Sequence, residues 1–110
     1  MAYVENVDLV PEGTRTAAGS QPSVANFGGS TQAILHVRIT DIDSYLYVRL
    51  EDSVDGENWY LVETLNASLV GNYALRTNKP FTDNLRVSWT LQEKSGLPLS
   101  ATFAVSLAAF

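Results

Sequence analysis

The chain contains no cysteine, and it has only one histidine and two tryptophans among its 110 residues. Without cysteine, neither a disulfide nor a thiolate metal site can hold the fold together, so its stability must come from packing and hydrogen bonding. The same absence excludes catalysis by a cysteine and histidine pair. A chain of this length is long enough for one domain with a single core and leaves no room for two.

Positive charge is also scarce. Seven lysine and arginine residues stand against twelve aspartate and glutamate residues, which makes a formal net charge of −5, and the basic residues are scattered singly. Contacts to phosphates need a clustered positive surface, so a nucleic-acid partner is not expected. No apolar run approaches the roughly 20 residues of a transmembrane helix, and the N-terminus lacks the pattern of a signal peptide. We therefore expect no membrane partner.

The sequence contains little that could act as catalytic machinery. The single histidine, His36, lies within an alternating apolar segment, and neither a Gly-x-Ser-x-Gly elbow nor a glycine-rich phosphate loop is present. Acidic residues crowd the segment DSVDGEN at 52–58, but it lacks the spacing and the final glutamate of an EF-hand. The turn preference of aspartate and glycine explains this segment instead. We predict a non-enzymatic protein with no catalytic residues, no metal site and no cofactor.

Alternation of apolar and polar side chains with a period of two residues predicts antiparallel strands after residue 31. The alternating segments are 32–40, 45–51, 84–91 and 99–107, with a weaker candidate at 72–78. The last strand carries no charge, so we expect it to lie in the centre of a sheet or under a partner, because an exposed edge of this kind aggregates. Strands about ten residues apart predict an all-β fold, a single antiparallel β-sandwich of jelly-roll-like or immunoglobulin-like type.

The segment YLYVRLEDSVDGENWYLVETL, residues 45–65, predicts a β-hairpin. If Asp55-Gly56 forms a two-residue type I′ turn, Leu50 faces Leu61 and Leu46 faces Leu65 on the buried side. Glu63 falls on the same apolar side in this register. Its position indicates either a β-bulge or a longer loop.

The opposite side of the hairpin collects aromatic and cationic side chains that are candidates for contact with a partner. These are Tyr45, Tyr47, Arg49 and Tyr60. Arg49 can stack on a tyrosine ring there. Trp59 and Trp89 are in phase with aliphatic residues of their own strands, so both are predicted to be core aromatics rather than a sugar-binding platform.

Residues 1–30 differ from the rest of the chain because they are rich in threonine, serine, alanine and glycine. We predict an extended N-terminal arm, irregular rather than part of a packed layer, ahead of a β-sandwich domain at residues 31–110. Such an arm can become ordered on a neighbouring chain. Arg15 and Phe27 are its candidate contact residues.

Several of these segments resemble small virion proteins of tailed bacteriophages, of the capsid decoration or cement type. The hairpin residues that carry the resemblance are Ser53, Asp55, Gly56 and Trp59, and a later strand adds Leu85, Arg86 and Val87. The resemblance extends over about residues 15–107. It implies a structural protein of the capsid surface, made in the host cytoplasm.

Decoration proteins of this kind bridge neighbouring major capsid subunits, often as trimers or dimers. The resemblance therefore implies that the partners are the major capsid protein and other virion proteins, and that the chain forms a homo-oligomer. Two alternatives stay open. One is a carbohydrate-binding or host-adhesion module of a tail or fibre, and the other is a structural component of the tail or neck.

Overall fold

A computed structural model of the protein describes residues 5–21, 32–77 and 84–109. Within these ranges the chain forms eight strands: β1 (Glu5–Arg15), β2 (Gly19–Ser20), β3 (Ala33–Ile42), β4 (Ser44–Ser53), β5 (Tyr60–Ala67), β6 (Gly71–Thr77), β7 (Asn84–Glu93) and β8 (Ala101–Ala109). They make two four-stranded antiparallel sheets, with strand orders β1-β8-β3-β6 and β2-β7-β4-β5. The predicted all-β sandwich is therefore confirmed. In the described ranges there is no helix long and apolar enough to cross a membrane.

One apolar core fills the space between the two sheets, and alternate positions of four strands supply most of it. The buried positions are Ala33, Leu35, Val37 and Ile39 of β3, Leu46, Val48 and Leu50 of β4, Leu85, Val87 and Trp89 of β7, and Ala101, Phe103, Val105 and Leu107 of β8. The rings of Trp89 and Phe103 meet edge to face, with centroids 5.7 Å apart. Because every second residue of these strands is buried, the predicted strand faces and the core position of Trp89 are confirmed.

Strand β8 lies in the middle of the first sheet, between β1 and β3. This position confirms the expectation for the uncharged final strand, since both of its edges are paired. The strand begins two residues later than predicted, at Ala101. The segment 94–100 before it forms the connection from β7.

The N-terminal segment contributes a strand to each sheet, whereas the sequence predicted an irregular segment over residues 1–30. Strand β1 pairs along β8, and its side chains Leu9 and Val10 are buried. The pairing shifts register between Asp8 and Val10 and again between Val10 and Gly13. These irregularities break the period-two pattern from which a strand is predicted. Phe27 and the rest of residues 22–31 lie outside the described residues.

The β4–β5 hairpin has a six-residue loop, residues 54–59, instead of the predicted two-residue turn. A type I′ turn needs positive φ at both central residues. In the Asp55-Gly56 pair only Gly56 has a positive φ, of 78°. The prediction of a type I′ turn at this position is therefore wrong.

The register of the hairpin also differs from the prediction. Leu50 pairs with Glu63 rather than with Leu61, and Leu46 pairs with Ala67 rather than with Leu65. A register shift next to Leu50 inserts one extra residue on β5. Both explanations offered for the misfit of Glu63, a bulge and a longer loop, are thus confirmed.

Candidate functional site

The outer face of the second sheet carries three of the six candidate contact residues, which are Tyr45, Tyr47 and Arg49. Three rows of opposed residues cross it: Asn66–Tyr47–Thr90, Thr64–Arg49–Ser88 and Leu61–Glu51–Arg86. Side chains directly opposite each other on antiparallel strands lie within contact distance. The central strand β4 therefore presents a line of tyrosine, arginine and glutamate between two largely polar strands.

Tyr47 and Arg49 are held in place by hydrogen bonds to the neighbouring strand β7. The Tyr47 hydroxyl donates to Oε1 of Gln92 at 2.9 Å, and Nη2 of Arg49 donates to Oγ1 of Thr90 at 3.2 Å. Both side chains are half-buried. The described contacts of Arg49 thus include a threonine hydroxyl and not the tyrosine ring that the sequence suggested.

Tyr45 is the most exposed aromatic side chain on this face, at 41%. The ammonium group of Lys94 lies 5.7 Å from its ring centroid and donates a hydrogen bond to the Ser68 carbonyl oxygen at 3.2 Å. Beside the ring is an open depression of about 160 Å³, lined by Tyr45, Leu46, Tyr47, Asn66, Ala67 and Ser68. Pockets for drug-sized ligands are roughly 300–1,000 Å³, so this depression suits a single side chain of a partner better than a cofactor.

Tyr60 lies apart from the other two tyrosines. It is 65% exposed and pairs with Asp52 at the opposite end of the hairpin. The long loop and the bulge shift β5 relative to the predicted register, which removes Tyr60 from the rows that contain Tyr47 and Arg49. The prediction that these side chains form one surface is therefore wrong for Tyr60.

Arg15 packs against the two core aromatics. Its guanidinium carbon lies 5.5 Å from the ring centroid of Trp89 and 5.7 Å from that of Phe103. Nη2 of Arg15 donates to the Pro11 carbonyl oxygen at 3.0 Å. The side chain therefore covers one margin of the core and is not part of the outer face of the second sheet.

Trp59 is half-exposed, although its phase in the sequence predicted a core position. The residue belongs to the loop 54–59, so strand alternation does not apply to it. Its ring lies against Arg86, whose guanidinium carbon is 4.4 Å from the ring centroid. Nε of Arg86 also donates to Oε1 of Glu51 at 3.1 Å. This group of three side chains was not predicted, and the outward phase of Arg86 is the signal that could have indicated it.

The loop 54–59 is organised by the carboxylate of Asp55. Oδ1 accepts hydrogen bonds from the backbone N–H groups of Glu57 and Asn58 and from the Ser53 hydroxyl, each at 2.9 Å, and Oδ2 accepts one from Nδ2 of Asn58 at 2.8 Å. These donors, foremost the backbone N–H of Asn58, hold the pKa of Asp55 well below its ordinary value. The carboxylate therefore shapes the turn.

The side chains of the second sheet's outer face can contact a partner through hydrogen bonds and aromatic rings. His36 is exposed on the outer face of the first sheet, far in sequence from the acids of the loop. Among the described residues, no group of three or more histidine, aspartate or glutamate side chains could hold a metal ion. The outer face of the second sheet presents hydrogen-bonded polar and aromatic side chains.

No protein-family model matches the chain, and no curated relative matches it. Among solved structures, the chain is similar to the PBSX exported protein XepA, with 13% identity and a TM-score of 0.68 over 97% of this chain and 36% of that one. It is also similar to a chain in the structure of infectious bursal disease virus, Gx strain, with 11% identity and a TM-score of 0.60. That likeness covers 97% of this chain and 31% of the viral one.

The CBM36-1 domain of a multidomain xylanase, from the hindgut metagenome of Trinervitermes trinervoides, is also similar, with 13% identity and a TM-score of 0.57. That likeness covers 96% of both chains. By contrast, the chain spans only about a third of XepA and of the virus protein. At these identities the likenesses show a shared β-sandwich fold.

Proposed function

We propose that the chain is a non-enzymatic virion structural protein of the capsid decoration or cement type, which binds the outer surface of a capsid and bridges neighbouring major capsid subunits. The observation that carries the proposal is the outer face of the second sheet. Tyr47 and Arg49 are held there by hydrogen bonds, and Tyr45 stands beside an open depression. Tyrosine and arginine are enriched among the residues that dominate binding at protein interfaces.

The fold supports the same proposal. Sandwiches of this kind occur in XepA and in a chain of the infectious bursal disease virus structure. The sequence resemblance to phage decoration proteins rests on the hairpin that contains Asp55 and Trp59. In the structure Asp55 organises the hairpin loop, and Arg86 packs on Trp59. The residues that carry the resemblance thus form one structural unit.

A decoration protein works through many copies. Weak contacts repeated across a lattice produce high avidity without one strong interface. The net charge of −5 helps a protein of high copy number to remain dissolved. We propose a dimer or trimer in which each copy contacts the major capsid protein and other virion proteins.

Addition of the purified chain to expanded capsids tests the proposal. We expect saturable binding at a stoichiometry set by the capsid lattice, and a higher melting temperature of the capsid. The double substitution Tyr47→Ala and Arg49→Ala should weaken binding about tenfold or more. Arg76→Ala, an exposed position on the other sheet, is the matched control. Saturating wild-type protein that leaves no bound density on the capsid would refute the proposal.

A carbohydrate-binding or host-adhesion module is the second candidate. The likeness to the CBM36-1 domain over almost the full length of both chains favours it, as does the exposed ring of Tyr45 beside the depression. This candidate predicts glycan binding that is lost in Tyr45→Ala and Tyr47→Ala. An empty glycan array would count against it. Labelled electron microscopy of the virion separates both candidates from a tail or neck component by position on the particle.

A further inference from the structure

In the described part of the chain, the exposed large apolar side chains lie at the two ends of the sandwich. One end contains the β1–β2, β3–β4, β5–β6 and β7–β8 connections, and we call its five exposed large apolar residues the apolar end. They are Tyr45 (41% exposed), Leu69 (66%), Val70 (60%), Leu97 (46%) and Leu99 (37%). The opposite end has three such residues, which are Val54, Tyr60 and Leu61. Exposed large apolar groups gathered at one end of a fold mark sites of interaction.

Hydrogen bonds hold the two longer connections of this end together. The Lys94 ammonium group donates to the carbonyl oxygen of Ser68, and the Tyr73 hydroxyl donates to that of Leu69 at 2.7 Å. The β5–β6 connection, which carries Leu69 and Val70, is therefore tied both to the start of the β7–β8 connection and to strand β6.

The β7–β8 connection begins with a tight turn. Ser95 and Gly96 both have positive φ, of 54° and 76°, and the N–H of Leu97 donates to the carbonyl oxygen of Lys94 at 3.1 Å. This is the type I′ pattern. At the other side of the connection, the N–H of Ser100 donates to the buried hydroxyl of Ser44 at 2.9 Å. Leu97 and Leu99 are thus displayed by an ordered segment, which lowers the entropy lost when a partner binds.

Carboxylates also lie at this end. Asp41, Asp43 and Glu93 are exposed at the strand ends that meet there, and none of them takes part in an ion pair among the described residues. The strand orders place Asp43 between the two connections that carry the aliphatic residues. The described bases at this end, Arg15 and Lys94, both lie against aromatic rings. The apolar end therefore includes unpaired negative charge.

We propose that the apolar end is a docking site for a protein whose contact surface combines apolar side chains with lysine or arginine. Aliphatic side chains match an apolar protein surface, and the unpaired carboxylates select a positive one. A second copy docking by the same end would place like charges together. An anionic membrane would be repelled for the same reason. The site is separate from the proposed capsid-binding face except for Tyr45, and the inference stands whether or not the chain binds capsids.

Selection of random displayed peptides on the immobilised full chain tests the inference. We expect enrichment of peptides that combine leucine or aromatic residues with flanking lysine or arginine. Their affinity should fall at least tenfold on the double variant Leu69→Ser and Leu97→Ser. The matched control is Val54→Ser with Leu61→Ser, which removes exposed apolar side chains from the opposite end and should leave the affinity unchanged.

A second variant changes the carboxylates while keeping the apolar side chains. Asp43→Lys with Glu93→Lys should weaken the same peptides at least tenfold, and added salt should weaken their binding to the wild-type chain. Selection that enriches no basic apolar peptides, or enriched peptides that bind the Leu69 and Leu97 double variant undiminished, would overturn the inference. Capsid binding measured with the wild-type chain reports separately on the proposed function.

Discussion

The guanidinium carbon of Arg86 lies 4.4 Å from the centroid of the Trp59 ring. The same side chain forms a salt bridge to Glu51, with Nε 3.1 Å from Oε1, and both partners are partly buried. Because Arg86 belongs to β7 and Trp59 to the β4–β5 loop, the contact ties the long hairpin loop to the sheet. A planar guanidinium can stack and donate at once, which an ammonium group cannot reproduce.

Replacing Arg86 with alanine should lower the free energy of unfolding by about 1–2 kcal/mol, because the stacking contact, the ion pair and the packing of the side-chain stem are all lost. Arg86→Lys should recover less than half of this loss. Urea denaturation followed by circular dichroism measures both values. Arg76→Ala serves as the control for removal of one positive charge. Equal stability of the Arg86→Ala and Arg76→Ala variants would contradict a structural role for the stack.

Gly19 is predicted to tolerate no side chain, since a Cβ atom there would lie 2.7 Å from Cζ2 of Trp89. The Trp89 indole is also held by a hydrogen bond, in which Nε1 donates to the Ala17 carbonyl oxygen at 3.2 Å. Gly19→Ala should therefore destabilise the fold by about 1–3 kcal/mol through overpacking. The neighbouring Ser20→Ala is the control, and the midpoint of urea denaturation is the measurement. A Gly19→Ala variant as stable as the control would show that the segment can move away from Trp89 at no cost.

The hairpin loop should contribute a pH-dependent part of the stability. The folded state holds the pKa of Asp55 below its ordinary value of 3.8, so the carboxylate stabilises the fold above that pH, and the contribution is lost as the pH falls below it. The difference in urea midpoint between the wild-type chain and Asp55→Asn should be largest near pH 7 and should shrink below about pH 4. Val54→Ala, which changes an exposed side chain of the same loop and no carboxylate, is the control. A difference that stays constant from pH 7 to pH 3 would disagree with this account.

Strand β1 should be essential to the sandwich. Deletion of residues 1–15 removes the buried side chains Leu9 and Val10, worth about 1.5–3 kcal/mol each, and leaves β8 as an unpaired edge. Strand β8 carries no charge, so we expect aggregation. Light scattering coupled to size exclusion, with a thermal melt, measures the outcome. A deletion variant that remains a dispersed, folded protein with an unchanged melting temperature would mean that the segment is an accessory arm, as its composition suggested.

The strands that alternate regularly could be predicted from the sequence, because the apolar side chains of each strand lie on its buried face. Strands β3, β7 and β8 have one buried and one solvated face, and every second residue shows it. Strand β1 could not be predicted in this way, because its register shifts twice and its composition is polar. The Asp55-Gly56 pair led to a wrong turn prediction, because hydrogen bonds to the Asp55 carboxylate stabilise a longer loop. A type I′ turn forms in a different connection, at Ser95-Gly96.

The candidate site was predicted only in part. Tyr45, Tyr47 and Arg49 share one strand, so their proximity follows from the sequence alone. The position of Tyr60 depends on the loop length and the bulge between the two strands, which local alternation does not encode. The stacking of Arg86 on Trp59 joins residues 27 positions apart and depends on how β4 and β7 pair.

The amino-acid sequence by itself determined the all-β class, the inner faces of four strands and the need for both edges of β8 to be paired, because these follow from local periodicity and from the absence of charge. Tertiary structure alone decided the strand order, the hairpin register, the inclusion of β1 and the apolar end, which combines two connections with Tyr45. These features depend on which distant segments pair, and pairing is selected by the burial of all the strands together. No single segment contains that information.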